Sequence, residues 1–166
     1  MRKVVASVSM SLDGFMAGPN VSVEYPMGKG GNRLHAWLFN SHSNDVDSAV
    51  VKAASSQIGA VILGRRTFDI GFSVWGEQTP YPVPTFVVTH RDKDALPTAN
   101  GSFTFVTDGL MSTVDQARAA AKDKNVAVMG GEVTQALIRA RAIDELNIQL
   151  VLFIVCSANG RSANRP

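Results

Sequence analysis

The sequence predicts an α/β fold of three layers: a mostly parallel central sheet with helices on both faces and an antiparallel edge contributed by the C-terminal strand. Short apolar runs alternate with helical patterns in the order β-α-β-β-β-α-β-α-β. Most of these runs are apolar throughout, as strands covered on both faces are. The last, Leu146-Asn147-Ile148-Gln149-Leu150, alternates with a period of two, as edge or antiparallel strands do. The chain's 166 residues suit one ordinary domain, expected over 1–155, with a polar tail over 156–166. A composition that is 45% hydrophobic and 18% charged excludes global disorder.

Lys3 to Met10 reads as the first strand, ended by the turn signal Asp13-Gly14. Arg2-Lys3 ahead of this run gives it a superficial likeness to a secretory leader, but a buried strand is the better reading without a cleavage signal. Residues 15–32 contain Gly18-Pro19-Asn20 and Gly28-Lys29-Gly30-Gly31-Asn32, a long loop of the kind that is often functional. Asn32 is placed to cap a short helix with Leu34, Trp37 and Leu38 on one face. Residues 45–57 form a second helical pattern through Val46, Val50, Ala53 and Ala54.

Strands follow at Ala60–Leu63, Thr85–Thr89 and Phe103–Thr107. Ser112-Thr113-Val114-Asp115 approximates a capping box and opens a helix through the Ala-rich 117–122. Val126–Met129 is the next strand. A helix over 132–141 is expected to turn Val133, Leu137 and Ile138 inward.

Two glycine turns follow strands and suit phosphate. In Gly64-Arg65-Arg66-Thr67 the glycine lets a ligand approach the backbone, the arginines offer planar donor forks, and Thr67 stands where a short helix begins. In Gly130-Gly131 the N–H groups at a helix start favour an anion. Thr89-His90-Arg91, at another strand end, combines hydroxyl, imidazole and guanidinium. In open α/β sheets ligands gather at the carboxyl ends of strands, where all three segments lie. The alternatives are a solvated strand end, a tight structural turn and a basic loop. Val133 and Gln135 break a G-x-G-x-x-G pattern, and no Gly-Lys-Ser/Thr follows to make a P-loop. Together the turns point to a phosphate-bearing cofactor.

Several classes are excluded or disfavoured. A formal charge of +2 leaves no basic footprint for nucleic acid. No apolar run reaches the roughly 18 residues of a membrane span, so a cytoplasmic protein is expected. The lone Cys156 excludes an intrachain disulfide. His35, His42 and His90 lack metal-ligand spacing, and no metal is expected. No Gly-x-Ser-x-Gly elbow supports a hydrolase.

Ser11-Leu12-Asp13-Gly14, Val61 to Phe68, Pro84 to His90, Val128-Met129-Gly130-Gly131 and Asp144-Glu145-Leu146 occur in the order and spacing of a known group. Across about residues 2–151 the chain resembles the dihydrofolate reductase-like superfamily, in the branch of the RibD C-terminal (bifunctional deaminase-reductase) domain of riboflavin biosynthesis. The resemblance implies an NADPH-dependent oxidoreductase that transfers hydride to a small heterocyclic or carbonyl-type substrate. It implies that Gly64, Arg65, Arg66 and Thr67 meet the cofactor phosphates, and that Thr89, His90 and Arg91 lie near the adenosine. Gly130 and Gly131, joined by a bond that is commonly cis in such proteins, approach the pyrophosphate, and Glu132 is expected to bind the cofactor with them. Asp13 and Gly14 border the nicotinamide, and Trp75, on a loop, the substrate mouth.

Two features depart from that pattern. The acid that dihydrofolate reductases carry on their first long helix falls at Ser48, leaving Asp47 and Asp13 as weak catalytic candidates. The run from Cys156 to Pro166 replaces a final strand, which leaves an open edge suited to a homodimer. A catalytically impaired nucleotide-binding protein is the alternative.

Overall fold

The computed structural model describes residues 3–40, 44–76 and 78–155. The expected tail and His42 lie outside them. The strands are β1 (Val4–Ser11), β2 (Ile58–Gly64), β3 (Pro84–Val88), β4 (Leu96–Thr98), β5 (Gly101–Val106), β6 (Asn125–Met129) and β7 (Glu145–Val151). They form one sheet in the order β4-β5-β3-β2-β6-β1-β7. The helices are α1 (Ala36–Phe39), α2 (Asp45–Ser56), α3 (Arg65–Trp75), α4 (Leu110–Ala121) and α5 (Gly131–Arg139). The chain divides into two compact units, one of residues up to Ser7 with Gln57–Asn147, the other of Val8–Ser56 with residues from Ile148 onward.

In the first unit β2 pairs in parallel with β3 and β6, β6 with β1, and β3 with β5. The antiparallel pair in the register is β4 with β5, joined through Ala99-Asn100. That is the edge opposite to the expected one. β7 does take an edge position, but Asp144 N–H donates to the Val4 carbonyl and Leu12 N–H to that of Phe153, both 2.9 Å. The partners advance in the same sense along β1 and β7. The connection explains this: a tight turn returns a strand antiparallel, whereas β7 is reached through the crossover helix α5.

Alternation along β2 builds two cores. Ala60 and Ile62 join Val114, Ala117 and Ala121 of α4 and Val133 and Leu137 of α5. Val61 and Leu63 face the other way, toward Phe68 of α3, Val87, Phe103 and Phe105. Helices therefore cover both faces of this part of the sheet.

The sequence expected a short helix near Thr67, whereas α3 is 11 residues long. Its stripe is Phe68, Phe72 and Trp75, with Gly71 buried beneath the Trp75 indole where a Cβ would collide with the ring. Phe68 sets edge-on to Phe103 and to Phe105, each at 5.0 Å between centroids. Such pairs contribute about 0.5–1.5 kcal/mol beyond burial, and burying the ring itself about 1.5–3 kcal/mol.

Two other expectations change. The helix expected from Ser112 starts at Leu110 with Gly109 as N-cap, so Ser112 lies inside it and accepts a bond from Gln116. Thr113, not Ser112, closes the first turn, donating to the Gly109 carbonyl at 2.9 Å. On α5, Thr134 takes the inward place expected of Ile138, which is exposed.

In the second unit, Ser11 closes the turn after β1 by accepting Phe15 N–H at 2.9 Å. The loop that follows is braced across its base: Gly18 N–H donates to Met27 and Lys29 N–H to Pro19. A Cβ on Gly18 would overlap the Lys29 carbonyl, and one on Gly28 the Gly18 carbonyl, so both residues must be glycine. A 3-10 turn over Gly31–His35 buries Leu34, with Gly30 and not Asn32 at its N-cap. Trp37 donates its indole N–H to the Ser9 hydroxyl at 2.9 Å. Helix α2 is capped by the Asn44 carboxamide, yet none of its residues is buried, and Val46 and Val50 are exposed.

Burial of His35 holds its pKa below the ordinary imidazole value, against the opposing effect of its hydrogen bond to the Met16 backbone. The folded protein thus binds this proton less readily than the unfolded chain does. Stability is lost as pH falls from about 6.5 toward the lowered folded value. His35→Gln, which keeps a donor for Met16, is expected to flatten the dependence of urea stability between about pH 7 and about pH 5. An unchanged slope would assign it to other groups.

Candidate cofactor site

Register places the predicted turns side by side. Gly64 pairs with Val88 and Leu63 with Met129. Gly64 ends β2, Thr89 follows β3 and Gly130 follows β6, so all three sit at the carboxyl edge of adjacent parallel strands. Helices α3 and α5 start there at Gly64 and Gly130, neither of which provides a side-chain cap. The first-turn N–H groups have no intrahelical acceptors and remain available to an anion.

The two turns touch. Gly130 has φ +97°, and a Cβ on it would overlap the Thr67 hydroxyl oxygen. Arg66 reaches across to Glu132, Nη1 to Oε1 3.7 Å, both side chains more than half exposed. Arg65 instead gives its Nε to Asp69 at 2.7 Å, one helical turn along, and extends over Phe68 and Phe105. Thr89 is buried and its hydroxyl accepts Arg91 N–H at 3.0 Å, so it shapes its own loop. His90 and Arg91 are exposed on that loop. Two uncapped helix starts, glycines without a Cβ and this cluster of cations fit a group carrying more than one phosphate.

The remaining predicted residues are placed differently. Asp13 and Gly14 form the turn after β1 in the second unit, where Gly14 has φ +85° and the Asp13 carboxylate accepts Val155 N–H at 3.1 Å. Asp47 is in the first turn of α2, as is Ser48, whose N–H donates to the Asn44 carbonyl. Trp75 stands on α3, not on a loop. Its ring stacks on Phe103 at 6.4 Å, drawn into the slot above Gly71. Sequence reasoning missed Lys93, whose ammonium lies over the Phe68 and Phe105 rings. The available signal was its place in the charged run His90-Arg91-Asp92-Lys93-Asp94, but only the fold brings that run to β5. Among the described residues no group of His, Cys, Asp and Glu is arranged to hold a metal, and no helix is long and apolar enough to cross a membrane.

The family model of the RibD C-terminal domain matches residues 2–163. The chain belongs to that family. Among solved structures, it resembles a Shewanella sp. PV-4 protein named for riboflavin biosynthesis, with 21% identity, a TM-score of 0.63, and coverage of 92% of this chain and 78% of the other. Dihydrofolate reductase from Enterococcus faecalis, complexed with NADP(H) and RAB-propyl, matches at 16% identity and a TM-score of 0.49, over 91% of this chain and 72% of the other. No curated protein matches the chain in sequence. The RibD C-terminal fold is of the reductase type. In this member the Gly130–Gly131 bond, expected to be cis, is trans, and the positive φ of Gly130 makes the turn.

Gly130→Ala should therefore fail twice, once through the positive φ and once against Thr67. Destabilisation of about 1–3 kcal/mol is expected. Adding Thr67→Ala should recover the steric part alone, read as coupling in a double-mutant cycle of denaturation midpoints. Strict additivity would mean that the two turns do not press on each other.

Proposed function

We propose that this RibD C-terminal domain is an NADPH-dependent reductase that passes hydride to a small heterocyclic or carbonyl-type substrate. One observation carries the reading: the uncapped turns at Gly64 and Gly130 lie together at the carboxyl edge of the sheet, with Arg65 and Arg66 beside them. The bound cofactor supplies a hydride, and a proton from a donor yet to be assigned completes the reduction. Arg66 and the first N–H groups of α3 and α5 bind the diphosphate. Gly64 and Gly130 let it approach the backbone. Gly131 continues that cradle, and Thr67 sets its width by resting on Gly130. Thr89, His90 and Arg91 form the loop on the adenosine side. Asp13 and Gly14 serve the substrate side, within one reductase domain spanning 1–155. We place no direct ligand role on Trp75, which packs on Phe103.

Glu132 opposes the ligand. Its carboxylate favours the positive end of α5 and partners Arg66, the two places a phosphate would use. Glu132→Gln is expected to tighten NADPH binding by a fewfold, as loss of an exposed ion pair of about 0.2–1 kcal/mol allows. Parallel calorimetric titrations with NADPH and NADH test the reading itself. Failure of the wild-type chain to bind either would remove it. Binding without NADPH oxidation across a panel of carbonyl and heterocyclic substrates would favour the impaired nucleotide-binding protein, which Ser48 at the usual acid position supports.

The chain works as a homodimer through β7. The strand's alternation puts its apolar residues outward: Leu146, Ile148 and Leu150 are about half exposed, and Leu152 and Ile154 continue the row. A sheet-edge strand with this composition favours self-association. Light scattering should find a dimer that Ile148→Asp converts to monomer. A monomeric wild-type chain at micromolar concentration would reject the dimer and leave the cofactor reading standing.

A further inference from the structure

Asn100 closes the turn between β4 and β5, at the amino end of β5 and so opposite to the glycine turns. Its carboxamide grips the segment that joins α3 to β3. Oδ1 accepts the Thr79 N–H at 2.7 Å and lies 3.1 Å from the Thr79 hydroxyl and 3.3 Å from that of Thr98. Nδ2 donates to the Thr79 carbonyl at 3.3 Å. Thr79 is 4% exposed, and its hydroxyl also meets the Tyr81 carbonyl. Just beyond it, Tyr81 and Val83 pack on the core of Phe68 and Phe103. This clasp fastens the approach to β3 onto the β4–β5 hairpin.

The clasp also dictates the next residue. A Cβ on Gly101 would stand 2.9 Å from both the Thr79 hydroxyl oxygen and the Val83 carbonyl oxygen. The position therefore excludes every side chain. Position 100 needs a group that donates as well as accepts, which a carboxamide does and a carboxylate does not. The two needs together yield Asn-Gly. In that dipeptide no side chain shields the following backbone nitrogen from the asparagine carboxamide.

We infer that Asn100 is a site of spontaneous deamidation, gated by its clasp on Thr79. The Gly101 backbone nitrogen attacks Asn100 Cγ. An N–Cγ bond forms, the Cγ–Nδ2 bond breaks, and ammonia leaves with the proton of the Gly101 N–H. Water then opens the succinimide at either carbonyl, giving aspartate or isoaspartate. While the clasp is closed, Thr79 holds the carboxamide and the pairing of Thr98 with Gly101 holds the attacking nitrogen. Reaction proceeds from molecules in which this corner has opened locally. Both products lose the Nδ2 donor. Aspartate sets a carboxylate oxygen against the Thr79 carbonyl, and isoaspartate lengthens the backbone of the turn that sets the β4–β5 register. The modified chain can no longer close the clasp as before.

Peptide mapping by mass spectrometry tests this on the full chain, incubated at mildly alkaline pH. The folded wild type should accumulate aspartate and isoaspartate at position 100, at least about tenfold more slowly than the same chain in guanidinium chloride. In guanidinium chloride Asn100 should react as fast as Asn159, the other asparagine followed by glycine. Thr79→Val keeps the shape of the side chain and removes its hydroxyl. It should speed the reaction at Asn100 in the folded protein by about threefold to tenfold. Thr98→Val, which removes the more distant hydroxyl, should act in the same direction more weakly and serves where Thr79→Val does not fold. Asn100→Asp should fold with a lowered denaturation midpoint. No modification at position 100 in the folded chain, over a time in which the denatured chain converts fully, would overturn the site. A folded rate equal to the denatured one, or one unchanged by both valine variants, would overturn the gate.

Discussion

The burial of Phe68 against Phe103 and Phe105 is the constraint on which the candidate site depends. Gly64 to Thr67 lies immediately before this ring, which holds the start of α3 against the sheet. Sliding the helix by one turn would displace its first residues by about 5.4 Å, far more than a phosphate contact tolerates. The rings therefore do for Arg65, Arg66 and Thr67 what a rigid scaffold does for any loop that must bind. They also support Arg65 and Lys93 from beneath, so that one apolar cluster sets both the position and the charge of that edge.

Charge is distributed differently at the two ends of the strands in the first unit. At the amino ends the pairs are close. Asp144 accepts both Val4 N–H at 2.7 Å and Arg118 at 3.0 Å, and Lys3 meets Glu145 at 2.8 Å. The last pair shifts both partners toward their charged forms, the Lys3 pKa upward and the Glu145 pKa downward. At the carboxyl ends Arg66 and Glu132 are 3.7 Å apart and largely in water. The carboxyl ends also hold a close pair, Arg65 with Asp69 at 2.7 Å, so the two ends differ chiefly in the exposure of the Arg66–Glu132 pair.

The strands were legible because Ala60–Leu63 is buried on both faces, and Val126–Met129 on one face and partly on the other, so that both read as uninterrupted apolar runs. The glycine turns were legible because their chemistry is local. Phe68, Phe72 and Trp75 were spaced as a helix face, but Gly71 between them looks like a helix breaker until the indole that fills its empty side is seen. The direction of β7 was misread because alternation reports exposure and not strand sense; the crossover through α5 decides the latter. The loop placement expected of Trp75 was not met, because an indole near a glycine suits a loop mouth and a packed helix end equally well. Lys93 was hidden for a plainer reason: its partners Phe68 and Phe105 are supplied by distant segments.

The loop after β1 is closed at its base by two glycine backbones packed against each other, with crossed bonds from Gly18 to Met27 and from Lys29 to Pro19. Within it, the N–H groups of Ser22 and Gly28 donate to the Tyr25 carbonyl, and Val23, Glu24 and Tyr25 are exposed. Such a stem separates length from anchorage. Residues can be added or exchanged at Val23-Glu24 without passing strain to the base, since the closing bonds are made below them and loop closure becomes only slowly costlier with length. The tip is thus a natural point of insertion for a tag or reporter. Over longer times it is also a segment free to diverge while the glycines at its base stay fixed.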